Sequence, residues 1–259
     1  MTSCPSTPNK KSRHPVITVS SPYFTKQIEV SVDSLFQQLS SLKPLLIQER
    51  VANDPWKLLV AVTLLNKTTA KVAIPAFWEL ITRWPTPWAL SKADAKELLD
   101  FLRPLGTYSI RSKRLIALSK AYLLDPPSAF DARPSKPVIA SPSKKSPSKK
   151  TNGNVDLPST LTKRLRYPAT PISHLPGTGS YALDSYRIFC SLHEDPFSEE
   201  WKSVTPTDKE LVLYLRWRWA HLERLEWSAE TGETRSVRVA YLTELIQGLK
   251  EFRERSQSG

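Results

Sequence analysis

Two cysteines, one methionine and seven glycines in 259 residues are the scarcities that first limit this chain. Cys4 and Cys190 cannot supply the four thiolates of a structural zinc site or an iron–sulfur cluster, and they make no disulfide framework. A reducing, intracellular setting follows. No apolar run approaches the roughly 20 residues that a membrane-spanning helix needs, and MTSCPSTPNKKSRHP lacks the apolar block of a secretory signal. We therefore expect no membrane association and no secretion. His14, His174, His193 and His221 have no metal-ligand spacing. The serines have no recognisable His/Asp partners, so a hydrolase triad is unsupported.

What the chain has in excess is proline, 22 residues, together with eight each of Trp, Tyr and Phe. That mixture suggests a Pro-rich disordered part joined to an aromatic-rich folded part. The net charge of +12 is concentrated in residues 1–20, through Lys10, Lys11 and Arg13, and in 133–166, leaving the rest of the chain close to neutral. Any nucleic-acid binding by the folded part must then come from local placement of charge and backbone groups, with the basic stretches adding a salt-sensitive attraction.

Hydrophobic spacing divides the chain into a disordered basic tail, 1–20, a first folded part, 21–127, a Pro/Ser/Lys-rich disordered insertion, 128–166, a second folded part, 167–227, and a helical extension, 228–259. Val32, Leu35, Phe36, Leu39, Leu42 and Leu46 recur at helical intervals. Asp54-Pro55 has the form of an N-cap followed by proline at the first helical position, and WKLLVAVTLLN reads as a buried central helix. Thr68 and Thr69 can cap the next helix, which Pro75 must kink or delay. Further helices are expected at Lys92–Leu102, Ser109–Leu124, Ser180–Leu192, Thr207–Trp227 and Val237–Arg255. No stretch alternates convincingly with a period of two, so the fold class is all-α.

The segment His174-Leu175-Pro176-Gly177-Thr178-Gly179-Ser180-Tyr181 places a Pro-Gly-x-Gly turn at the start of a helix. Such a turn aims backbone N–H groups and the positive end of the helix dipole at a phosphate, or it is an ordinary capping turn. Downstream, Val204-Thr205-Pro206-Thr207-Asp208 sets an acid in a helical first turn, where the dipole favours the ionised form. Thr207-x-x-Glu210 also has capping-box form, which is the competing account of these residues. Trp217 and Trp219 point about 200° apart on a helix and cannot form one stacking surface.

LPGTGSY resembles the hairpin of helix-hairpin-helix DNA-binding motifs. Together with DPWKLLVAVTLLNKTTAKVAIPAFWEL, LRPLGTYSIRSKRL and LPGTGSYALDSYRIFC, it is similar to the glycosylase domain of the methyl-CpG-binding-domain mismatch thymine/uracil DNA glycosylases, across roughly 21–127 and 167–227. The resemblance implies an all-α, two-lobed helix-hairpin-helix glycosylase fold with its substrate cleft between the lobes.

It also implies base excision from double-stranded DNA carrying a T·G or U·G mismatch. In that reading Asp208 is the catalytic carboxylate, and Ile47, Gln48 and Tyr181 form the base pocket. Lys67, Leu105, Gly106 and Thr107 enter the duplex, while Pro176, Gly177, Thr178, Gly179 and Ser180 dock phosphates. Tyr181 stands where related bifunctional enzymes hold a Schiff-base lysine, so the implied enzyme is monofunctional.

Several positions depart from the family. Lys67 replaces an arginine, Thr107 an apolar wedge residue and Glu210 a lysine. Leu105 is then expected to carry more of the wedge function, and the choice between thymine and uracil stays open. No organic cofactor, metal or iron–sulfur cluster is expected to be required, although the hairpin carbonyls of such motifs often hold a monovalent cation. A monomer residing in the nucleus is expected, with no methyl-CpG-binding module. A non-catalytic DNA-binding relative and a bifunctional glycosylase/lyase remain the alternatives.

Overall fold

The computed structural model describes residues 17–21, 24–28, 31–135 and 167–257. The expected disordered tail and insertion lie largely outside these residues. Where the two overlap, the structure differs from expectation. β1 (Ile17–Ser21) pairs antiparallel with β2 (Phe24–Ile28), with Ile17 opposite Ile28 and Val19 opposite Lys26. The β-branched residues of ITVS favour that extended form. Likewise, Arg133 pairs with Thr170 as an isolated bridge, and the Ser135 hydroxyl donates to the Tyr167 carbonyl at 2.9 Å. Residues 128–135 are therefore fastened to the second folded part.

α1 (Val32–Ser41) follows and buries Leu35 and Leu39. The chain then enters a compact unit spanning Leu45–Asp208. Its first helices are α2 (Ile47–Arg50) and α3 (Pro55–Leu65). Asp54 caps α3 as its sequence requires, accepting the Lys57 N–H at 3.1 Å. α3 is buried nearly all round, from Trp56 to Leu64, and the Trp56 indole N–H donates to Ser119 Oγ at 3.0 Å. Burying each large side chain stabilises by about 1.5–3 kcal/mol, which makes this helix the axis of the unit.

α4 (Ala70–Arg83) carries Pro75 inside it without ending there. The helix expected at Lys92–Leu102 is α6 (Ala95–Leu102), and a short helix that the sequence did not lead us to expect, α5 (Pro87–Ser91), precedes it. Thr86-Pro87 repeats the cap-plus-proline signature of Asp54-Pro55, with Thr86 Oγ1 accepting from the Ala89 N–H, and Asp94 caps α6 in the same manner. A 3-10 turn, Arg103–Leu105, leads into α7 (Tyr108–Leu124). α8 (Ser180–Ser185) continues through a π-helical turn, Tyr186–Cys190, into α9 (Ser191–Glu194).

The other unit groups the chain through Pro44 with Lys209–Gly259. The helix expected over Thr207–Trp227 stops early. α10 (Lys209–Arg218) gives way to a π-helical turn, Trp219–Glu223, and Arg224 adopts left-handed backbone at φ 58°. β3 (Leu225–Trp227) then pairs with β4 (Thr234–Ser236), so the extension begins as a hairpin before α11 (Val239–Gln257). The buried Glu226 carboxylate accepts from Arg238 and Arg235, and those bonds hold it well below the usual carboxylate range. Trp217 and Trp219 are both buried. Trp217 donates to the Leu39 carbonyl at 3.0 Å and stacks on His221, which accounts for it as packing.

No helix among the described residues is long and apolar enough to cross a membrane. The fold is mostly helical, as the sequence periodicity requires.

Candidate nucleic-acid interface and base pocket

Five pieces of the Leu45–Asp208 unit, distant in sequence, carry the expected site residues. α2 supplies Ile47 and Gln48, both buried. The hairpin helix α8 supplies Tyr181, whose hydroxyl accepts a hydrogen bond from Gln48 Nε2 at 2.7 Å. A solvent-facing Gln48 is thereby excluded. An amide has two N–H groups and a carbonyl, so this one bond leaves a donor and an acceptor for another partner.

The hairpin begins with two successive turns, Thr170 to Ser173 and Ile172 to Leu175, rather than with a helix. Ile172 and Leu175 are buried beneath it, and His174 Nε2 meets the Asp125 carbonyl at 2.8 Å, tying the turn to the end of α7. Gly177 lies at φ 88°, where a side chain is strained, and an added Cβ would fall 2.8 Å from Arg114 Cδ. The stem of Arg114 thus packs on the hairpin and brings a guanidinium beside it. Gly179 occupies the N-cap with no side chain to bond the first-turn N–H groups of Ser180, Tyr181 and Ala182. An anion is the natural partner for such groups.

Leu175 and Gly177 offer neutral carbonyl oxygens, each already accepting one local bond, from Thr178 Oγ1 at 2.7 Å and the Gly179 N–H at 3.1 Å. Carbonyl oxygens with a lone pair remaining fit a hard monovalent cation better than a transition metal. Among the described residues, no group of three or more His, Cys, Asp or Glu could hold a metal ion.

Asp208 directly precedes α10 rather than lying within its first turn, and it is half-buried. The loop before it is anchored by Val204 and Pro206, both buried, and by the buried Arg187. Arg187 Nε donates to Glu200 at 2.8 Å and its Nη2 to Ser203 Oγ at 2.5 Å.

Sequence reading missed Asp184, one turn beyond Tyr181 and buried on α8. Burial pushes its carboxyl up to about 6, against the Tyr167 hydroxyl and Arg187, which favour the charged form; nearby Asp208 raises it further. The Tyr167 hydroxyl donates to Asp184 Oδ2 at 3.4 Å. The Cys190 thiol, buried on the same helical run, is pushed up strongly by burial and is inert as a nucleophile.

The two turns expected to enter DNA are exposed at Lys67 and at Gly106–Thr107. Leu105 is not. Its side chain is only 8% exposed, so it anchors its turn and cannot project as the wedge expected from the sequence. Lys67 and Thr107 have φ of 62° and 46°, left-handed values uncommon outside glycine.

Residues 60–220 match the HhH-GPD superfamily of base excision DNA repair proteins, and the chain belongs to that superfamily. An Aeropyrum pernix thymine-DNA glycosylase is 45% identical over 67 residues, covering 26% of this chain and 30% of the relative. A Pyrobaculum aerophilum thymine/uracil-DNA glycosylase is 39% identical over 71 residues, 27% of this chain and 31% of the relative. A methyl-CpG-binding domain protein 4-like protein of Arabidopsis thaliana is 24% identical over 169 residues, 65% of this chain and 27% of the relative. The chain thus spans less than a third of the length of each of these three relatives. These relatives bear out the resemblance carried by the three sequence motifs.

Proposed function

We propose that this chain is a monofunctional DNA glycosylase that hydrolyses the N-glycosidic bond of thymine or uracil mispaired with guanine. The observation that carries the proposal is the buried Gln48–Tyr181 hydrogen bond, which joins a base-reading amide to the hairpin helix. A pyrimidine edge offers alternating oxygens and an N–H, and the remaining donor and acceptor of Gln48 match it. Flanking phosphates dock on Pro176–Ser180, with Arg114 adding charge. Lys67 and the Gly106–Thr107 tip enter the vacated stack, and Leu105 supports them from below.

In the chemical step the C1′–N1 bond breaks and its electron pair leaves on the base. Positive charge develops on the sugar, where the Asp208 carboxylate stabilises it. Water bonds to C1′ and gives its proton to Asp208. Tyr181 has no amine with which to form a Schiff base, so the product is an intact strand with an abasic site. No organic cofactor or iron–sulfur cluster takes part. A monovalent cation held by the Leu175 and Gly177 carbonyls would add positive charge at the phosphate site. A monomer acting in the nucleus on double-stranded DNA completes the reading; the basic stretches at Lys10-Lys11 and Lys144–Lys150 support that compartment.

Duplexes differing only in one pair, T·G, U·G, T·A or U·A, test this with the wild-type chain and Asp208→Asn, each product being treated with hot alkali or left untreated. Strand breaks at T·G and U·G only after alkali are expected, with a loss of about a thousandfold in rate and retained binding for the variant. Breaks without alkali would make it a lyase. Binding without excision on any duplex would make Asp208 a capping acid of a non-catalytic protein.

A further inference from the structure

Arg111 lies on α7 and is only 4% exposed. Each arm of its guanidinium serves one of the two turns just assigned to the DNA stack. Nη1 donates to the Leu105 carbonyl at 2.7 Å and the Gly106 carbonyl at 3.0 Å. Nη2 donates to the Asn66 carbonyl and to Thr68 Oγ1, both at 2.6 Å. All four acceptors are neutral oxygens. Burying a charge without a carboxylate partner is costly, so the arrangement is better explained by geometric constraint than by net stabilisation.

What needs constraining is evident in the backbone. Lys67 and Thr107, one in each turn, hold left-handed conformations that cost of order 1–2 kcal/mol each and persist only when their surroundings over-determine them. The bonds to Asn66 and Thr68 bracket Lys67. Those to Leu105 and Gly106 end one residue short of Thr107. A planar fork with several donors in fixed directions can impose both shapes at once, which a lysine ammonium cannot.

We propose that Arg111 is a positioning residue that locks the Asn66–Thr68 and Leu105–Thr107 turns into one preorganised edge, and thereby sets how strongly the protein prefers a duplex with a vacated base position over an intact one. This rests on the proposed entry of the two turns into DNA. Filling a vacancy with a preformed edge avoids ordering the turns at the moment of binding. Contact with the outer phosphates does not depend on it.

The test uses the full chain and fluorescence anisotropy on two duplexes, one with a tetrahydrofuran abasic analogue opposite guanine and one with an intact G·C pair. The readout is the ratio of their Kd values, with thermal unfolding measured in parallel. Arg111→Met is expected to lower the preference for the abasic duplex about tenfold while leaving intact-duplex affinity within about twofold, and Arg111→Lys to fall between. Lys67→Ala and Thr107→Ala run alongside. If they lower the preference and Arg111→Met does not, or lowers both affinities equally, the positioning role is wrong. If Lys67→Ala and Thr107→Ala leave the preference unchanged, the turns do not enter DNA and the proposed binding mode itself fails. Should Arg111→Met not fold, Thr68→Val and Arg111→Lys decide: a preference lowered about threefold in each supports the clamp, and unchanged preference in both overturns it.

Discussion

Two turn systems in the Leu45–Asp208 unit are proposed to meet DNA, and they are held in shape by different means. The Pro176–Ser180 hairpin uses glycine where its backbone turns left-handed, leaves its helix N-terminus without a side-chain cap and needs no distant residue to close its own hydrogen bonds. The Asn66–Thr68 and Leu105–Thr107 pair also has a glycine at positive φ, Gly106, but adds lysine and threonine in left-handed backbone and depends on one buried arginine to hold both turns. The hairpin is shaped to admit a ligand by its main chain. The pair is shaped to present side chains, and strain is the consequence of choosing residues for what they insert.

The comparison is sharpened most by the one buried carboxyl on the hairpin helix. Asp184 has its pKa raised to about 6 from an ordinary value near 3.8, so the folded protein binds a proton more tightly than the unfolded chain between those values. Stability attributable to Asp184 is therefore present below about pH 4 and is lost as pH rises through about 6. Relative to Asp184→Asn, the wild type should lose about 2–3 kcal/mol between pH 4 and pH 7, as read by denaturant unfolding of both proteins at each pH. Parallel profiles would place Asp184 in water.

Gly177→Ala comes next. Its left-handed φ and the close approach of Arg114 should cost about 2 kcal/mol of stability. It should also weaken binding to damaged and intact duplexes alike, in contrast to the selective loss expected at Arg111. Equal affinities for wild type and variant would break the distinction between the two systems from the hairpin side. The smallest effect belongs to Thr107→Asn. Asparagine tolerates left-handed backbone, so this change should stabilise by up to about 1 kcal/mol in thermal unfolding. No gain would mean that the strain at Thr107 is relieved elsewhere.

Much of this arrangement is legible in the sequence where chemistry is local. Asp54-Pro55 announces the start of α3, the apolar run of WKLLVAVTLL announces its burial, and the glycines of LPGTG announce the hairpin. Thr86-Pro87 announces α5 by the same rule as Asp54-Pro55, and the Ser-Ala-Glu-Thr-Gly turn after Trp227 marks the β3–β4 hairpin. Length alone concealed them, since a five-residue helix and three-residue strands carry too little periodicity to stand out.

The burial of Leu105 and the role of Arg111 are of another kind. Arg111, Leu115, Leu118 and Tyr122 fall on one helical stripe, so an arginine opens a face otherwise meant for the core. That irregularity is visible. Which carbonyls the arginine meets depends on where Asn66 and Leu105 end up after folding, and no spacing in the chain encodes that directly.

The bridge between Arg133 and Thr170, with Ser135 joined to Tyr167, holds the two ends of residues 136–166 together independently of what lies between them. With the ends of a connection pinned, its closure cost grows only logarithmically with length, by about 0.6 kcal/mol per doubling. Between Ser135 and Tyr167, then, a change in chain length is expected to disturb the two flanking parts least.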